Sequence, residues 1–235
     1  YVYKLNEKEN VTIDYTKNVF KPTGTSIELL NSCNKNIISN GSVLDLGCGT
    51  GFVGIALKKK NKYIIDLYAS DISLDAVKLA RNNAEKNNVK IIAKCGNVTD
   101  PWKNKKFDYI INDVSGISES LSKVSVWFDG ISCKSGTDGT KLVTEALNNS
   151  VKHLNTSGKL FFPVLSFSNT KKIINFAKKL YENVNLISHK EWVMPEDLQK
   201  NIKLLSDLKN KNCISYEEKF GLLVWYTDIY VAFNN

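Results

Sequence analysis

At 235 residues and 43% hydrophobic content, the chain has ordinary globular composition and enough apolar residues for one well-buried core. No stretch approaches the roughly 18 unbroken apolar residues of a membrane span, and no signal-peptide pattern opens the chain, so a cytoplasmic protein without a membrane partner is expected. The formal charge of +8 would suit nucleic acid, but the lysines are scattered and only Lys58–Lys62 and Lys103–Lys106 form tight runs, which a solvated surface explains more simply.

In chain order, alternation in Tyr1–Asp14 (Val2, Leu5, Val11, Ile13) predicts a short hairpin. The segment Phe20-Lys-Pro-Thr-Gly-Thr-Ser leads into a helix over Ile27–Ile38, with Thr25 or Ser26 as its N-cap. Ser42–Leu46 is the first core strand, Phe52–Lys60 a helix and Tyr63–Ser70 a second strand running to Asp71. Ser73–Asn88 is amphipathic through Ala76, Val77, Leu79, Ala80 and Ala84. Val89–Cys95 and Phe107–Asn112 are the third and fourth strands, and Asp113–Asp138 is loop with a short helix. Thr140–Leu154 is helical, Asn155–Gly158 a turn and Lys159–Leu165 a fifth strand, with Pro163 inside it arguing for a shorter length. A helix over Asn169–Tyr181, a strand over Val184–Trp192, a helix over Pro195–Lys211 and a strand over Leu222–Phe233 complete the chain. This alternation implies right-handed βαβ units in one α/β domain over residues 1–235, with residues 1–40 as an N-terminal extension of a core spanning 41–235.

The chemistry concentrates in Val43–Gly54, VLDLGCGTGFVG, where a strand meets a single acid, Asp45, and then Gly47, Gly49 and Gly51 at alternate positions. Read from Gly49, GTGFVG fits the dinucleotide fingerprint G-x-G-x-x-G, which leaves an NAD-type oxidoreductase as a reading of another class. Read from Asp45 it is D-x-G-x-G-x-G, and this reading also explains the acid, which at a strand end can accept hydrogen bonds from a ligand amine and turning backbone. Asp71, 20 positions beyond Gly51 at the end of the second strand, is placed to take both ribose hydroxyls. Five cysteines (Cys33, Cys48, Cys95, Cys133, Cys213), none in C-x-x-C spacing, argue against a disulfide framework or zinc site. The two histidines, His153 and His189, leave little for a metal and read as structural or exposed.

The DLGCGTG stretch resembles motif I of the class I S-adenosylmethionine-dependent methyltransferases. The resemblance implies a Rossmann-like fold with a seven-stranded, mainly parallel sheet, the last strand antiparallel and inserted beside the fifth, and helices on both faces. It implies S-adenosylmethionine as cofactor, held by Asp45, Gly47, Cys48, Gly49 and Gly51 at the loop, by Asp71 at the ribose, and by Ile72, Asn97 and Val98 around the adenine. No metal is implied.

From KPTGTS through Asp138–Thr140 the chain is similar to the release-factor glutamine and adenine-amine methyltransferases, which carry N-P-P-Y after the fourth strand. Asn112 matches that Asn and is expected at both the cofactor and the reaction site. Asp113, Val114 and Ser115 depart from Pro, Pro and Tyr, so glutamine or adenine specificity is not carried over. The acceptor is an oxygen or nitrogen of a small molecule or protein side chain, with protein glutamine or nucleic-acid adenine as the alternative. Asp113 and Ser115 read equally as groups that steer or deprotonate the acceptor and as turn formers. A catalytically silent binding module is the remaining reading. Trp127, Phe128 and Asp129 read equally as a lid or pocket wall and as satellite-core packing, and Pro163, Ser166, Ser168 and Asn169 are candidates for acceptor contacts, whereas Trp192, Trp225 and Tyr226 read as core aromatics.

Overall fold

The computed structural model describes residues 1–7 and 9–235. A hairpin of β1 (Val2–Lys4) and β2 (Asn10–Thr12) precedes α1 (Gly24–Asn36), as the alternation there predicts. The core then alternates: β3 (Gly41–Leu46), α2 (Phe52–Lys60), β4 (Ile64–Asp71), α3 (Leu74–Lys86), β5 (Ile92–Cys95) and β6 (Phe107–Asn112). After a long connection carrying α4 (Glu119–Ser122) come α5 (Lys141–Ser150), β7 (Leu154–Leu165), α6 (Thr170–Leu180) and β8 (Asn183–Val193). The tail comprises α7 (Glu196–Gln199), α8 (Ile202–Asn210), β9 (Glu217–Lys219) and β10 (Leu222–Phe233).

The main sheet has the order β5-β4-β3-β6-β7-β10-β8, parallel from β5 to β7. β10 lies antiparallel between β7 and β8, the expected insertion beside the fifth core strand. An eighth strand, β9, extends the expected seven by pairing with β10. One face packs under α1 and α2 through Leu29, Leu30, Val53 and Ile55 against Val43, Ile111 and Phe161. The other packs under α5 and α6 through Val143, Leu147, Ile173 and Ala177 against Leu44, Ile110 and Phe162.

Several boundaries move for local reasons. Helix α1 starts at Gly24 with Thr23 as N-cap, so Thr25 and Ser26 lie buried in its first turn, where the Ser26 hydroxyl accepts from the Thr23 N–H at 3.4 Å to complete a capping box. The expected turn at Asn155–Gly158 is instead an irregularity within β7: Phe107 pairs with Leu154 and Tyr109 with Lys159, so the extra residues bulge out. Pro163 does not interrupt β7, because pairing with β6 ends at Phe161. The single helix read over Pro195–Lys211 breaks at Lys200 and Asn201 into α7 and α8.

The N-terminal hairpin is tied to α3 by two asparagines one turn apart. Asn87 donates to the Thr12 carbonyl (2.7 Å) and accepts from its N–H (3.0 Å). Asn83 does the same for Asp14, at 3.0 and 2.9 Å. Val11 and Ile13 are buried beneath, so residues 15–23 are drawn across the C-terminal edge of the parallel strands.

Phe220 and Gly221 form the two-residue loop between β9 and β10, both with positive φ (52° and 76°), and the Phe220 side chain is fully exposed. That backbone favours Asn-Gly. Phe220→Asn is therefore expected to stabilise the protein by roughly 0.5–1 kcal/mol, read as a rise of about 1–4 °C in melting temperature.

Candidate active site

The glycine loop leaves β3 in a conformation that side chains resist. Gly47 has φ +67°, and a Cβ there would stand 2.9 Å from Val114 Cγ1 and 3.2 Å from the Val114 backbone. The glycine thus lets the loop after β3 rest directly on the segment that leaves β6. Gly47 and Cys48 both donate their N–H to the Ser70 carbonyl, at 2.9 and 3.1 Å, fastening the loop to β4. Cys48 is buried, and Gly51, with φ +79°, caps α2 and donates to the Cys48 carbonyl at 2.7 Å.

Three acids surround this loop. Asp45 is buried at the end of β3; its Oδ2 accepts from the Gly54 N–H at 3.0 Å, and its Oδ1 has no hydrogen-bond partner. Burial, reinforced by the nearby Asp113 charge, pushes the Asp45 carboxyl up to about 8, against the lowering effect of the Gly54 N–H. Asp71 accepts from the Gly49 N–H through Oδ2 and from the Ser73 N–H through Oδ1, both at 2.9 Å. Burial raises its pKa, although those two N–H groups favour the charged form. Asp113 accepts from the Ser26 hydroxyl at 3.0 Å, and burial pushes it up to about 7.

A cavity of about 410 Å3 runs along this edge of the sheet. At one end it meets Asp71, Ile72, Asn97 and Val98. Ile72 is 74% exposed, which makes it an apolar side chain without cover at the cavity wall. Val98 has φ +43°, a strained conformation for a β-branched residue that costs on the order of 1–3 kcal/mol. The Ser70 hydroxyl holds the Val98 carbonyl at 2.7 Å, and Asn97 Nδ2 donates to Glu145 Oε1 on α5 at 2.6 Å.

At the other end the wall is aromatic and apolar, with Phe20, Trp127, Phe128 and Leu165 packed in one cluster, and Val114 and Pro163 also line the cavity. Phe20 and Phe128 pack with ring centroids 5.0 Å apart, and Trp127 lies 5.6 Å from Trp225. Trp127 and Phe128 are thus both pocket wall and core, two roles the sequence left as alternatives. Asp113 and Ser115 line the cavity between its two ends. Asp45, Gly51 and Asn112 stand behind the lining rather than in it. Asn112 Oδ1 accepts from the Val114 N–H at 3.2 Å, and its Nδ2 is buried without a partner.

Ser166 and Ser168 serve backbone rather than the cavity: Ser166 accepts from the Tyr226 N–H at 3.0 Å, and Ser168 donates to the Leu165 carbonyl at 2.7 Å. Asn169 caps α6, and Asp129 lies outside the 410 Å3 cavity. His153 bonds the Lys105 carbonyl at 2.8 Å, and His189 pairs with Asp228 at 2.6 Å, both structural contacts. Residues 18–23 and Ser26, which the local reading left as approach to a helix, supply much of one wall. Among the described residues no His/Cys/Asp/Glu cluster could hold a metal ion, and no helix is long and apolar enough to cross a membrane.

Comparison with known proteins places this geometry. The methyltransferase small domain model matches residues 14–113. A putative protein N5-glutamine methyltransferase of Methanocaldococcus jannaschii is 32% identical over 184 residues, covering 74% of this chain and 86% of that protein. The chain belongs to the S-adenosylmethionine-dependent methyltransferases. An uncharacterized protein of Mycoplasma genitalium is 42% identical over 91 residues, covering 39% of this methyltransferase-family chain but 19% of that longer relative. A ribosomal protein L11 methylase from Lactobacillus delbrueckii subsp. bulgaricus shares the fold, with a TM-score of 0.60 at 14% identity, covering 99% of this chain and 98% of that one. Family membership sets aside the dinucleotide reading of GTGFVG.

Proposed function

We propose that the chain transfers a methyl group from S-adenosylmethionine to a nitrogen or oxygen that gives up its proton to Asp113. The observation that carries this reading is the Asp113 carboxyl itself. It lines the cavity between the Asp71 end and the aromatic end, with a pKa raised by burial to about 7 and the Ser26 hydroxyl bonded to it. A carboxyl poised near neutrality suits proton transfer at physiological pH. A thiolate acceptor would not need such a group.

The residues fit the donor. Asp45, just behind the lining, carries a buried acceptor oxygen without a partner, and a cationic amine bound against the Gly47–Gly49 loop would favour the ionised form that burial now disfavours. Gly47 and Gly49 let backbone approach the donor closely, with Cys48 and Gly51 holding the shape of the turn. Asp71 offers its remaining lone pairs to the ribose hydroxyls, while Ile72 and Val98 cover the adenine and Asn97 meets its edge. Bound S-adenosylmethionine supplies an activated methyl group on a sulfonium, so this chain has only to position the acceptor, exclude water and take a proton. The aromatic wall of Phe20, Trp127 and Phe128 orients a planar or apolar acceptor. Asn112, through its bond to the Val114 N–H, shapes the β6 exit, and Ser115 steers the acceptor.

A second reading, methylation of a protein glutamine amide, is favoured by the similarity to the M. jannaschii putative protein N5-glutamine methyltransferase, which extends over 86% of that protein. Both readings keep Asp113 as proton acceptor, and both fit a cytoplasmic protein.

Labelled methyl transfer onto a panel of glutamine peptides, amines and hydroxyl compounds, followed against pH, tests the proposal. Activity should rise as pH climbs through about 7, where Asp113 becomes ionised. Asp113→Asn should lower kcat/KM roughly 10²- to 10⁴-fold and flatten that limb. A variant that keeps both the rate and the limb would rule Asp113 out as proton acceptor.

A further inference from the structure

We infer that Glu145, which does not itself line the cavity, sets the preference of this site for an adenine base by fixing the orientation of Asn97. This rests on the assignment of Asn97 to the adenine edge. A carboxylate only accepts hydrogen bonds, so the 2.6 Å contact between Glu145 and Asn97 has to be made by the amide nitrogen. With one Nδ2 hydrogen committed to Glu145 the amide is oriented, and the carbonyl oxygen Oδ1 is the acceptor that Asn97 has left for a ligand, beside the second Nδ2 hydrogen. An amide oxygen accepts from the exocyclic amine of adenine, whereas the carbonyl that replaces this amine in hypoxanthine has no proton to give. Without Glu145 the amide is free to rotate and present either atom, and discrimination between the two bases should fall away.

The surrounding structure is consistent with a loop held for a purpose. Val98 is kept at positive φ, with its carbonyl tied to the Ser70 hydroxyl. The Glu145 contact pins the neighbouring side chain from the opposite element. Leu142, one turn earlier on α5, also lines the cavity, so this face of the helix reaches the site. Glu145 is a positioning residue, acting through Asn97.

Calorimetric titration of the full chain with S-adenosylhomocysteine and with S-inosylhomocysteine tests this without any methyl acceptor. The wild type should bind the adenosyl compound at least tenfold more tightly. Glu145→Ala should reduce that ratio to about two or less, mainly by weakening the adenosyl compound, and Asn97→Ala should show the same reduced ratio. Glu145→Gln, whose amide can accept from Asn97 Nδ2 or donate to its Oδ1, should restore only part of the preference and give a ratio between those of the wild type and Glu145→Ala. Equal weakening of both ligands in Glu145→Ala, or an unchanged ratio, would overturn the role of Glu145 while leaving the cofactor site intact. A wild type that binds neither compound would instead overturn the site assignment beneath it.

Discussion

Replacing Asp45 by Asn should weaken cofactor binding and stabilise the ligand-free protein at the same time. Asp45 carries a buried oxygen without a partner, and its carboxyl is pushed up to about 8. In the free protein such a raised acid stabilises the fold most below its unfolded pKa, near 3.9, and loses that contribution as pH rises to about 8. Asn keeps an oxygen for the Gly54 N–H but cannot ionise. The melting temperature of the variant should therefore fall less between pH 5 and 8 than that of the wild type, and should exceed it at pH 8. Binding moves the other way. An ionised Asp45 just behind the loop attracts a cationic amine bound in front of it, and losing that charge should cost roughly 1.5–3 kcal/mol, or about 10- to 150-fold in affinity for S-adenosylhomocysteine. Binding to the wild type near pH 7 should also release a proton that the variant does not, detected by calorimetry in buffers of differing ionisation enthalpy. Wild-type affinity in Asp45→Asn would show that the amine is held elsewhere.

Gly139→Ala should cost about 3 kcal/mol or more. Gly139 has φ +70°, and a Cβ there would stand 2.7 Å from the Ile117 carbonyl carbon, 2.8 Å from the Ser118 nitrogen and 2.8 Å from Ser168 Cβ. Two of those contacts are backbone and cannot rotate away. A left-handed alanine adds about 1–2 kcal/mol, and the overlap roughly 1–3 kcal/mol more. For a chain of this size the melting temperature should drop by about 6–12 °C. Gly139 stands where the connection after β6 returns to α6: the Ser118 N–H meets the Phe167 carbonyl at 2.8 Å, and the Asn169 N–H meets the Asp138 carbonyl at 2.9 Å. Displacing it should also loosen Trp127 and Phe128, read as quenched or shifted tryptophan emission in the folded variant. A melting temperature within 2 °C of the wild type would show that the connection gives way freely.

What the sequence by itself determined lies where chemistry is local. Asp45 and the glycines at positions 47, 49 and 51 declare a strand-to-helix turn, because left-handed backbone and a strand-end acid are written into adjacent residues. Ser73 opens its helix as N-cap, accepting from the Ala76 N–H, for the same reason, whereas Asn169, read from the sequence as an acceptor contact, caps α6 by accepting from the Lys172 N–H. The apolar periods of β3, β6, α2 and β10 place those elements to within a residue. The break at Lys200 and Asn201 was not legible, since Leu198, Ile202 and Leu205 keep an unbroken helical period across it. β9 was also hidden: Glu217–Lys219 is charged, and it becomes a strand through pairing with β10.

Only the tertiary structure decided how the two ends of the cavity are built. Ser26 reaches Asp113 across 87 residues and Glu145 reaches Asn97 across 48, and no local period encodes either meeting. The sheet order brings them together by placing β3 and β6 side by side, with α1 over one face and α5 over the other. The same packing raises Asp45 and Asp113 by removing water from around them, a property of their burial rather than of their neighbours in the chain. The local glycine motif points to the cofactor, while the aromatic wall of the cavity is assembled from segments that meet only in the folded protein.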